Sequence, residues 1–143
     1  MNNFILLFNF KKAFMIIPSL LLISIIIGCT RNEENNDEYY IKYEVNSATI
    51  YSNGKLKVGY LNENNQTISL EIPTKSKWEI NVGPVKKGYK ASMTVNELTE
   101  NYNRLSLNAQ ISSSKNNSPF AIKKQDNDNT PRKSLIIEYT VDY

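Results

Sequence analysis

The most constraining feature of this chain is a period of two. Between residues 40 and 141, apolar and polar side chains alternate in short runs broken by turn residues. Ile41, Tyr43 and Val45 alternate with Tyr40, Lys42 and Glu44. Leu56, Val58 and Tyr60 alternate with Lys55, Lys57 and Gly59, and Ile68, Leu70 and Ile72 with Thr67, Ser69 and Glu71. The same holds around Trp78, Ile80 and Val82, around Tyr89 to Val95, around Leu105 to Ile111, and around Leu135 to Val141. Successive side chains of a strand point to opposite faces, so this pattern gives each strand one apolar and one polar face. A helix needs apolar residues every three or four positions, and no ten-residue window has them. Glu97 to Tyr102 has room for one helical turn at most.

The punctuation fits short strands. Asn53-Gly54 tolerates the positive φ of a type I′ turn, so residues 48–52 and 55–61 read as a hairpin. Pro73 and Gly83-Pro84 end strands. Ser112 to Pro119 reads as a polar loop leading to a short Phe120–Ile122 segment, and Asp126 to Pro131 as another loop. Strands with one apolar face bury it by pairing two sheets. The expectation is an all-β fold: an immunoglobulin-like antiparallel β-sandwich of seven to nine strands over residues 39–143.

Composition narrows the chemistry. The chain has 143 residues, one cysteine and no histidine. That length suits one domain. A single thiol cannot form a bridge within the chain, and absent imidazoles remove most triads and zinc sites. The formal charge of +3 is misleading, because removing Lys11 and Lys12 of the leader leaves 15 basic against 14 acidic side chains. So balanced a domain carries no electrostatic footprint for nucleic acid, and no nucleic-acid partner is expected.

The N-terminus reads as an address. Lys11 and Lys12 precede a mostly apolar run from Ala13 to Ile27, short for a spanning helix and of signal-peptide length. The run ends in Ile26-Ile27-Gly28-Cys29, which resembles the lipobox of bacterial lipoproteins. The resemblance implies that residues 1–28 are a cleaved signal peptide. It implies cleavage between Gly28 and Cys29, with lipid on the Cys29 thiol as the membrane anchor. Residues 29–38 carry four acids and almost nothing apolar, and read as a solvated tether. Thr30 follows the cysteine in place of the aspartate of an inner-membrane retention signal. The acidic stretch is similar to the export signal of surface lipoproteins in some Gram-negative lineages. An outer-membrane, lipid-anchored location is expected, periplasmic or surface-exposed.

A second resemblance covers residues 40–143. Leu70-Glu71-Ile72-Pro73, Lys77-Trp78-Glu79-Ile80, Gly88 to Met93 and Leu105 to Ile111 look like small immunoglobulin-like bacterial lipoproteins. These are similar in layout to MmpS-type accessory proteins of membrane transporters. The chain departs from that layout in having no cysteine in the domain and four residues between Pro73 and Trp78.

Candidate chemistry is sparse. Ser76-Lys77 and Ser114-Lys115 are the nearest serine–lysine neighbours. Glu71 and Glu79 are the carboxylates that adjacent strands would bring together. Asp126-Asn127-Asp128-Asn129-Thr130 offers oxygen ligands at positions 1, 3 and 5 of a calcium loop. Pro131 replaces its glycine and Ile137 its bidentate glutamate, which excludes an EF-hand and leaves a weak surface site. Trp78 falls at an inward position, and Tyr40 and Tyr51 have ambiguous facing. No catalytic, cofactor or metal residue is expected. The expected function is a non-enzymatic, membrane-anchored binding or accessory module of a Gram-negative cell envelope. Its protein or glycan partner would meet the loops Gly83–Gly88, Ser112–Pro119 or Gln125–Lys133. The alternatives are a transporter accessory subunit and a small carboxylate-dependent hydrolase.

Overall fold

A computed structural model describes residues 36–49, 53–99 and 105–142. Gly28, Cys29 and Tyr51 lie outside the described residues. The described chain forms eight strands: β1 (Tyr39–Ala48), β2 (Lys55–Leu61), β3 (Thr67–Pro73), β4 (Lys77–Val85), β5 (Lys90–Glu97), β6 (Ser106–Lys115), β7 (Ala121–Asp126) and β8 (Ser134–Thr140). They build two four-stranded antiparallel sheets, ordered β4-β1-β6-β7 and β3-β2-β5-β8. The β-sandwich expected from the alternation is the fold. Only β2–β3 and β6–β7 are hairpins within a sheet; every other connection crosses between sheets.

The inward residues of both sheets form one core. Tyr39, Ile41, Tyr43 and Val45 of β1 are fully buried, as are Leu56 and Val58 of β2, Met93 and Val95 of β5, and Leu107 and Ile111 of β6. Trp78 is half-buried against this core, its ring 5.7 Å from that of Tyr60. Two tyrosine hydroxyls converge on the end of β2, and that of Tyr43 bonds from one sheet to the other. Tyr43 donates to the Leu61 carbonyl at 3.1 Å, and Tyr89 reaches the carbonyls of Leu61 at 2.8 Å and Asn62 at 3.0 Å. Burial pushes both phenols above their ordinary pKa.

Two local expectations are corrected. Asn53-Gly54 is not the turn of a β1–β2 hairpin, because β1 pairs with β4 and β6 while β2 pairs with β3 and β5. Gly54 serves a close approach instead: a Cβ there would sit 2.6 Å from Thr74 Cγ2, and its carbonyl accepts from the Thr74 N–H at 3.0 Å. Second, Ser112 to Lys115 is strand, not loop. Ser112, Ser113 and Ser114 are buried opposite Lys42, Ile41 and Tyr40 of β1, where small side chains fit. The turn starts after them, with Asn116 and Asn117 at φ of 48° and 63° and Ser118 N–H bonded to Lys115 C=O at 2.9 Å. Two consecutive positive φ values closed by that bond make the type I′ turn.

The registers fix two ends of the sandwich. Residues 36–38 join β1 at one end, together with the β2–β3 turn, the β4–β5 connection and the β6–β7 turn. At the other end lie the 74–76 turn and the loop after β7.

Candidate functional site

The outer face of the β4-β1-β6-β7 sheet is a grid set by its registers. Lys77, Asn46 and Asn108 form one cross-strand row. Glu79, Glu44, Gln110 and Gln125 form the next. Asn81, Lys42, Ser112 and Ile122 form the third. Alternation sends these side chains outward, and the amides concentrate where β1 meets β6 and β7. There they line a shallow groove of about 220 Å³. It lies on the half of the sheet away from residues 36–38.

The groove is internally ordered. Gln110 Nε2 donates to Glu44 Oε2 at 2.9 Å and to Ser112 Oγ at 3.0 Å. Lys42 Nζ reaches the same Glu44 oxygen at 3.1 Å, which offsets the like charge of Glu79 across the ladder. Gln125 Nε2 donates to Gln110 Oε1 at 3.4 Å, and Asn108 Nδ2 to Asn129 Oδ1 at 3.4 Å. One group stands out: Asn108 Oδ1 is shielded from water and has no hydrogen-bond partner among the described residues. An acceptor left so costs about 1–3 kcal/mol. The groove's own chemistry is therefore mainly hydrogen bonding by amides, set beside the charged Glu44 and Lys77.

The structure separates the other candidates. Glu71 and Glu79 sit on different sheets, and Glu71 is paired with Lys55 at 3.0 Å. Ser76 Oγ donates to the Pro73 carbonyl at 2.8 Å, and Ser114 Oγ to the Ser118 carbonyl, so each hydroxyl closes a turn. Lys115, beside Ser114, pairs with Asp37 at 2.7 Å. Tyr40 is half-buried and donates to Glu38 Oε2 at 3.3 Å. Of the three expected binding loops, Gly83–Gly88 and Ser112–Pro119 lie at the end where residues 36–38 join, and Gln125–Lys133 lies at the other.

The calcium-like loop is spent on an arginine. Asp126 accepts from Arg132 Nη1 at 2.9 Å and Nη2 at 2.8 Å, a bidentate pair. The Asp128 N–H donates to Asp126 Oδ1 at 3.1 Å and the Thr130 N–H to Asp128 Oδ1 at 2.9 Å. Among the described residues, no three acidic, cysteine or histidine side chains converge as a metal site. The Arg132 hydrogen bonds hold the Asp126 carboxyl below the usual carboxylate range. A folded pKa below the unfolded value stabilises the fold above the unfolded pKa of about 3.9, and the gain fades as pH falls through the folded value. Asp126→Asn is expected to cost about 1 kcal/mol at pH 7 and progressively less below pH 4. Urea titrations of both proteins across that range, read by Trp78 fluorescence, check it; a difference that does not change with pH contradicts the assignment.

The groove residues were not singled out from sequence, where Asn108 and Gln110 read only as polar strand positions and Asn46 carried no reading. Gln125 and Asn127 fell within a loop already considered. No family model matches the chain, and none of the curated proteins matches it.

Proposed function

We propose that this chain is a non-enzymatic binding module of a Gram-negative cell envelope, held to the outer membrane by lipid on Cys29. Its binding surface is the amide groove of the β4-β1-β6-β7 sheet. The reading is supported above all by the hydrogen-bonded amides of Gln110, Gln125 and Asn108 that line the groove. Such a lining suits a ligand rich in hydroxyls or amides, which returns donors to open acceptors and acceptors to amide N–H groups. The groove's distance from the point where the tether joins supports presentation away from the membrane.

The test uses the acylated full chain in detergent micelles, screened against neutral oligosaccharides and cell-wall peptides. Asn108→Leu removes the groove amide together with its hydrogen bond to Asn129 Oδ1, and is expected to cost no more than about 1 kcal/mol of folding stability. It is expected to weaken the retained ligand about tenfold, as is Gln110→Leu. Binding that is indifferent to both substitutions, or no binding by any of these ligands, overturns the groove assignment. Mass spectrometry of the membrane-extracted protein tests the anchor separately: an intact Met1 with an unmodified Cys29 thiol removes it. Protease shaving of intact cells then separates a surface domain, which is degraded, from a periplasmic one, which survives.

A further inference from the structure

The end of the sandwich where residues 36–38 join has a charge pattern that the groove does not explain. The β4–β5 connection and the start of β5 carry Lys86, Lys87 and Lys90, all exposed and without an ion pair among the described residues. They line an open concavity of about 500 Å³ between this connection and the β2–β3 turn. Glu63 is the one acid lining it. The backbone there is fixed, with Gly88 N–H bonded to Val141 C=O at 2.8 Å and Tyr89 N–H to Lys86 C=O at 3.1 Å. Of the remaining acids nearby, Asp37 is paired with Lys115, while Glu38 and Asp142 accept from the Tyr40 and Tyr139 hydroxyls and keep their charge. Phe120, 38% exposed, and Ile122, 57% exposed, stand near the same end beside Lys42.

The tether brings this end to a membrane. Asn116 exchanges two hydrogen bonds with Glu38, its N–H donating to the Glu38 carbonyl at 2.8 Å and its Oδ1 accepting from the Glu38 N–H at 2.9 Å. Asn116 Nδ2 also donates to Asp37 Oδ1 at 2.8 Å. The chain is thus fastened to the β6–β7 turn from Asp37 onward. Six residues separate Cys29 from Asn36, a reach of at most about 25 Å. A tether that short keeps the lysines at high effective concentration against headgroup phosphates.

We propose that Lys86, Lys87 and Lys90 form a docking surface for the phosphate groups of an anionic lipid leaflet, so that the domain stands end-down with its groove outward. This rests on the lipid anchor at Cys29 proposed above. Each lysine near an anionic surface shifts its occupancy about fivefold.

The test reads orientation in the acylated full chain. Cys29 is the only cysteine, so once acylated it leaves an introduced thiol as the one labelling site. Thr140→Cys and Ser134→Cys place a fluorophore at the two ends of β8, the first beside Lys90. Each is reconstituted in vesicles of phosphatidylcholine alone or with one-third phosphatidylglycerol, with a headgroup-linked quencher. At low salt, phosphatidylglycerol is expected to raise quenching at position 140 at least twofold and leave position 134 unchanged. Half-molar salt, or combined Lys86→Gln, Lys87→Gln and Lys90→Gln, is expected to abolish the difference. Quenching independent of lipid charge, or equal at both positions, in a protein whose mass shows acylation overturns the docking and leaves the anchor standing. An unmodified Cys29 overturns both.

Discussion

Leu107→Ala is expected to lower the free energy of unfolding by about 3 kcal/mol, measured by urea titration with Trp78 fluorescence. Leu107 is fully buried near the start of β6, beside β1 in its sheet and packed into the core shared with the second sheet. Truncation removes apolar contacts and leaves a cavity that β6 cannot close. Its backbone is held on one side by β1, where Ser47 lies opposite. Its carbonyl also accepts from Arg132 Nη2 at 2.5 Å. The neighbouring outward positions, Asn108 and Ser106, keep their places if the strand keeps its register. A variant that unfolds more easily but retains the groove's ligand near wild-type affinity is the expected pairing. A loss below 1 kcal/mol would mean that β6 relaxes into the space and that the core is looser than its burial implies.

That prediction shows what the sequence makes legible. Alternation told inward from outward positions, so Leu107 and Ile111 read as core and Asn108 and Gln110 as polar face. The reason is geometric: a strand has two faces, and burial chooses one. Alternation is silent about which strands pair. Asn53-Gly54 has hairpin chemistry, yet the chain crosses there to the other sheet, and Gly54 is required by Thr74 rather than by a turn. Ser112, Ser113 and Ser114 look like a loop in isolation. They are strand because β1 runs beside them and leaves room only for small side chains.

The groove was hidden for the same reason. Asn46, Gln110 and Gln125 are far apart in sequence, and each alone is an ordinary solvated position. They become a site only when β1, β6 and β7 stand side by side in one register. An unpaired acceptor such as Asn108 Oδ1 is a property of that register and of no residue by itself. The two hairpins show the complementary case, where chemistry is local. Asn65, Asn116 and Asn117 adopt positive φ, and asparagine is the side chain that tolerates it best after glycine.

Gly83→Ala is expected to cost about 3 kcal/mol, comparable to emptying the core at Leu107, although Gly83 packs no side chain. Two independent effects combine. Gly83 has φ of +143°, a backbone region that L side chains rarely adopt. A Cβ there would also meet the backbone of β1, 2.8 Å from Tyr39 O and 3.2 Å from Tyr40 Cα. Neither obstacle is a side chain able to swing aside. The pairing explains the need: Tyr39 aligns with Val85 and Ile41 with Val82, so β4 carries one extra residue between them and bulges at Gly83-Pro84. The bulge lets β4 follow β1 to the end of the sheet while Val82 and Val85 both face the core. With a urea slope of about 1–1.5 kcal/mol per molar for a domain this size, the midpoint should fall by roughly 2–3 M. If Gly83→Ala shifts the midpoint by less than about 0.5 M, the bulge is soft, and the β1–β4 register does not depend on glycine.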